Sequence, residues 1–90
     1  MALRIYADFN SVTGPDATGR EWCWCLLYKK QPLDDVAAEL GLMEGMPVTL
    51  FYTDPSEELE VDGILSLRNP NSWGPRWHAQ YDKSAIRRIR

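Results

Sequence analysis

Two runs rich in β-branched and aromatic residues follow one another near the middle of the chain. Val48-Thr49-Leu50-Phe51-Tyr52-Thr53 is entered through Gly45-Met46-Pro47, and Leu59-Glu60-Val61-Asp62-Gly63-Ile64-Leu65-Ser66-Leu67 resumes after Asp54-Pro55-Ser56-Glu57-Glu58. Turn-forming residues between two such runs predict a β-hairpin. Gly63 interrupts the second run, where a missing side chain predicts a bulge or a sharp bend.

The same alternation appears at the start of the chain. Leu3, Ile5, Ala7 and Phe9 alternate with Arg4, Tyr6 and Asp8, the period of a half-buried strand. Residues 10–19 are dense in turn formers and read as a surface loop. Arg20 to Tyr28 reads as a second strand, but both of its faces are apolar: Trp22, Trp24, Leu26 and Tyr28 on one, Cys23, Cys25 and Leu27 on the other. Two registers satisfy that pattern. Either the cysteine face points inward and the tryptophans need a cover, or the tryptophans fill the core.

Pro32 then opens a short helix, with Asp34 and Asp35 in the first turn where the helix dipole favours them. Leu33, Val36, Ala37 and Leu40 make one apolar stripe, and Gly41 is placed to end the helix in a left-handed turn. After the hairpin, Arg68 to Pro75 forms a turn and Arg76 to Tyr81 a further strand with Trp77, Ala79 and Tyr81 on one face. Ala85-Ile86 is expected to make a helical turn before Arg87-Arg88-Ile89-Arg90 ends the chain as an edge strand.

From Gly45 to Ile89, this order of bent hairpin, tight turn, Trp-bearing strand and short helical turn resembles small SH3-like barrels. Length and element order predict one domain over residues 1–90 with a mainly β, β-rich α+β fold, and the resemblance implies a small SH3-like barrel of about five antiparallel strands; the one short helix between strands 2 and 3 departs from the simplest SH3 layout. OB-like barrels place their helix one strand later.

Composition narrows the function. The chain has 90 residues, with four Trp, four Tyr and two Phe, so a small core depends on a few large aromatic side chains. No apolar run approaches the roughly 20 residues of a membrane span, and charges fall where a signal peptide needs its apolar centre. Cys23 and Cys25 are the only cysteines, two apart and poorly placed for a mutual disulfide. These features predict a cytoplasmic protein with reduced thiols.

The net charge of −3 is divided along the chain. Four basic side chains face twelve acidic ones up to Ser66, whereas six face one from Leu67 onward. Such a split signals either a basic binding face or an internal match between the last strand and acidic neighbours.

Candidate chemistry is sparse. Two cysteines and His78 fall short of the ligand set of a structural zinc site, so no metal or cofactor is expected, and the cysteines read as small buried hydrophobes. His78 reads as an exposed strand residue, with no oxyanion device or orienting group to make a nucleophilic site, so no enzyme is expected. Trp73 at a turn tip is either an exposed anchor or a lid folded on its own hairpin. Trp73, Trp77, Trp22 and Trp24 are the candidates for contact with a protein partner or a second copy of the chain. Arg76, Lys83, Arg87, Arg88 and Arg90 are the candidates for an alternative, nucleic-acid or ribosome binding, against which the acidic pI of about 5.0 argues.

Overall fold

The computed structural model describes residues 3–68 and 76–89. Among these residues nine strands form one sheet: β1 Leu3–Ala7, β2 Val12–Thr13, β3 Arg20–Cys23, β4 Leu26–Tyr28, β5 Gln31–Pro32, β6 Pro47–Thr53, β7 Glu58–Leu67, β8 Trp77–Asp82 and β9 Arg87–Arg88. The spatial order is β2-β3-β8-β7-β6-β1-β4-β5, with β9 paired to β7. The helix α1, Leu33–Leu40, follows β5. Among the described residues the fold is mainly β with one α-helix, in agreement with expectation. Nine strands replace the expected five, and the helix lies between the fifth and sixth strands rather than the second and third.

The larger strand count has a local cause. The expected second strand breaks at Trp24-Cys25 into β3 and β4, which occupy distant places in the strand order. One two-residue step thus joins distant parts of the sheet, which curls into a half-barrel. The break also changes which face points inward. Cys23 is buried in β3 and Leu26 in β4, an odd spacing of three, so neither register proposed for an unbroken strand holds over its whole length. The backbone stays satisfied through the step, since Asp8 N donates to Cys25 O at 3.1 Å and Trp24 N to Ser11 O at 3.0 Å.

The pairing is mostly antiparallel, but β1 and β6 run parallel, with Ile5 opposite Leu50. A parallel neighbour needs a long crossover, and the chain between these strands supplies it, α1 included. The helix buries Leu33 and Val36 and stops at Gly41, whose φ of 66° is the left-handed conformation glycine adopts without a Cβ clash. Leu42 N returns to Ala37 O at 3.1 Å.

The hairpin of β6 and β7 keeps one register from Pro47 opposite Ile64 to Thr53 opposite Glu58, so Gly63 is not a bulge. Its lack of a side chain serves close packing: a Cβ there would come within 2.8 Å of Leu50 Cδ1 and 3.1 Å of Gln80 O. Along the other edge of β7 the chain runs twice, first as β8 and then as β9. The intervening 3-10 turn Lys83–Ala85 is capped by Asp82, which accepts from Ser84 N. Inside the curl lie Ile5, Ala7, Cys23, Leu26, Val48, Leu50, Val61, Leu65, Trp77, Ala79 and Tyr81, with Leu33 and Val36 of α1 completing the core. No helix among the described residues is long and apolar enough to cross a membrane.

Candidate interaction groove at Trp24 and Trp77

The three described tryptophans have distinct fates. Trp22 is half-buried and already engaged, its indole Nε1 donating to Asp16 Oδ2 at 2.8 Å while the Arg68 guanidinium lies 4.2 Å from its ring centroid. Trp77 is 7% exposed and belongs to the core. Trp24 is 40% exposed, a large apolar side chain left open to solvent. Trp73 lies outside the described residues, as does Arg90.

Trp24 and Trp77 meet in one groove of about 360 Å³, completed by Cys25, Leu26 and Leu27 from the step and β4, Pro32 before the helix, and Leu33 and Asp34 in its first turn. Local sequence explains each wall. The break at Trp24-Cys25 turns Trp24 out of the sheet, and Pro32 starts α1 beside β4 so that Leu33 closes the floor. Asp34 fixes the remaining side: its carboxylate accepts Arg76 N at 2.8 Å and Trp77 N at 3.1 Å, tying the first turn of the helix to the start of β8. A carboxylate that satisfies two backbone donors holds Trp77 at the groove's floor.

The groove is therefore an apolar depression with a rigid floor and one exposed aromatic rim. Filling it with an aliphatic or aromatic side chain would gain about 1.5 to 3 kcal/mol from burial. Sequence reasoning found its two tryptophans and missed Cys25, Leu26, Leu27, Pro32, Leu33 and Asp34 as its walls. Asp34 had a helix-dipole role written in its position, but its bonds to the Arg76 and Trp77 amides, 42 and 43 residues away, leave no local signal.

Two of the basic C-terminal candidates, Arg87 and Lys83, are matched to carboxylates within the molecule. Arg87 Nη2 lies 3.1 Å from Glu60 Oε1 and 3.7 Å from Asp62 Oδ1, Glu60 also pairs with Arg4, and Lys83 lies 3.7 Å from Glu21. Arg4 and then Arg87 hold the Glu60 carboxyl below its usual range. Arg88 is exposed on β9 opposite Leu59, and Arg76 is exposed with its backbone N–H on Asp34. The acids that meet β9 are those of β7. Asp54 in the hairpin turn instead accepts from Ser56 Oγ, the Ser56 and Glu57 amides and Tyr52 Oη, which hold its carboxyl at about 2.

The remaining reactive groups are quiet. Cys23 is fully buried, its thiol pushed up to about 12 by burial, and its Sγ donates to Asp8 O at 3.3 Å. Such a thiol stays protonated at neutral pH. His78 is half-buried rather than exposed; its Nδ1 is enclosed and has no hydrogen-bond partner among the described residues, and burial lowers its pKa.

No family model, curated protein or solved structure matches the chain.

Proposed function

We propose that this protein is a small interaction module that engages a protein partner, or a second copy of itself, by receiving an apolar side chain in the groove between Trp24 and Trp77. The observation that carries this reading is the 40% exposure of Trp24 on the rim of an apolar depression whose floor is core. Exposed aromatic residues beside preformed pockets are where interface energy concentrates, and truncating one commonly costs 2 kcal/mol or more of binding. The order of β6, β7, β8, the 3-10 turn and β9 also supports an SH3-like reading of the second half, and a cytoplasmic setting is part of the same proposal.

Nucleic-acid or ribosome binding through the C-terminal cations is the weaker reading, because Arg87 and Lys83 already face carboxylates. A phosphate would have to displace them.

Quantitative co-purification from native extract, combined with light scattering, tests the proposal. Wild type should retain a partner or a dimer that Trp24→Ala reduces at least tenfold, whereas Arg87→Glu with Arg88→Glu should leave it. Equal recovery by wild type and Trp24→Ala, or a strictly monomeric protein without any retained partner, would overturn it.

A further inference from the structure

A second groove, of about 430 Å³, lies on the other side of Leu27, lined by Tyr6, Leu27, Lys29, Lys30, Phe51 and Thr53. Pairing puts Leu27 opposite Tyr6 and Tyr6 opposite Phe51, so one outward row crosses β4, β1 and β6. The rings of Tyr6 and Phe51 stand edge to face, 5.7 Å between centroids. This is a firm apolar strip with two ammonium groups at one end.

Those lysines are unusual in two ways. They form the two-residue turn between β4 and β5, with Tyr28 opposite Gln31, and both adopt left-handed conformations, φ 49° and 68°. A turn of this shape favours Asn-Gly, and non-glycine residues with positive φ are strained. Their charges are also uncommitted. Among the described residues no carboxylate forms an ion pair with either, and Lys29 Nζ rests 5.6 Å from the Tyr28 ring centroid. The contrast with Arg87 and Lys83, both matched to acids, is internal to the molecule.

We propose that this groove binds a short acidic peptide segment of a partner protein, its carboxylates on Lys29 and Lys30 and one apolar side chain on Leu27, Tyr6 and Phe51. Charge selects the occupant. Beyond Phe51 the row meets Glu60 on β7, and Asp62 lies next to it on the same strand with its side chain 82% exposed. Toward the other end of β1, burial first and then the nearby Asp8 and, more weakly, Asp54 raise the pKa of the Tyr6 phenol. A nucleic-acid strand long enough to follow the row would carry phosphates onto those carboxylates. A peptide with its acids gathered at the lysine end avoids them. The site shares only Leu27 with the Trp24 groove and does not depend on what that groove holds.

The test uses a fluorescein-labelled peptide of four glutamates followed by one phenylalanine and an amidated C-terminus, read by anisotropy at low and moderate salt. Wild type should bind it, more weakly as salt rises. Lys29→Asn with Lys30→Gly removes both charges while supplying the preferred turn. It should raise the thermal midpoint by about 5 °C and weaken binding at least tenfold. Phe51→Ala should also weaken binding, and Trp24→Ala should leave it within twofold. Undiminished binding by the Asn-Gly variant, loss of binding in Trp24→Ala, or tighter binding of a labelled single-stranded oligonucleotide than of the peptide would overturn the proposal, as would no binding to wild type at low salt.

Discussion

The Trp24 groove and the C-terminal strand β9 are the two regions where the sequence concentrates residues suited to contact, and they differ in how far the fold itself has already used them. At β9, the β7 strand sets Glu60 opposite Arg87, so the charges close on one another. At the groove, the sheet breaks and turns Trp24 outward where nothing among the described residues fully covers it. A run of charge or aromatics is therefore only an inventory. Its availability is decided by the residue that strand pairing places beside it.

The largest expected effect separates the groove's floor from its rim. Trp77→Ala should destabilise the fold by about 3 to 5 kcal/mol, since it deletes a core aromatic. Trp24→Ala should change stability by no more than about 1 kcal/mol. Urea unfolding of both variants checks the difference, and equal losses would erase the distinction between floor and rim.

A second expectation uses the cysteines, one at each depth. In native protein at pH 8, a thiol reagent should modify one of the two thiols, Cys25, at a measurable rate, while Cys23 reacts only on unfolding. Mass spectrometry of the modified peptide assigns the site.

Acid probes the charged region. Because Arg4 and Arg87 lower the folded-state pKa of Glu60, their contribution is complete above the unfolded carboxyl pKa of roughly 4.3 and is lost as pH falls through the lower folded value. Asp54 and Asp82 are held down by their turn hydrogen bonds and act in the same direction. The thermal midpoint should thus decline from pH 5 toward pH 2, and Glu60→Gln should make the decline shallower. The smallest effect is that of Glu60→Gln at pH 7, at most about 1 kcal/mol, because the pairs are partly exposed.

What was legible in the sequence was periodic or punctuated. The β6–β7 hairpin showed in its two runs and acidic turn, and α1 in its apolar stripe between Pro32 and Gly41. The step at Trp24-Cys25 was hidden because apolar residues occupy both faces from Trp22 to Tyr28, so alternation carries no phase there. The parallel partner of β1 is set by packing across 45 residues, and the two-residue strands β2 and β5 are too short for any period. Lys29-Lys30 was invisible as a turn because it lacks the Asn or Gly that such turns favour. In the site, aromatic content pointed to Trp24, whereas the neighbours that make it a groove are joined only by tertiary contacts.

Site-specific photo-crosslinking tests the central claim most directly. With a benzophenone amino acid at position 24 in one protein and at position 87 in another, irradiation of native extract should give a discrete adduct, to one partner or to a second copy of the chain, from position 24 and far less from position 87. Adducts from position 87 alone, or none above background from position 24, would contradict the assignment of the contact surface to the groove.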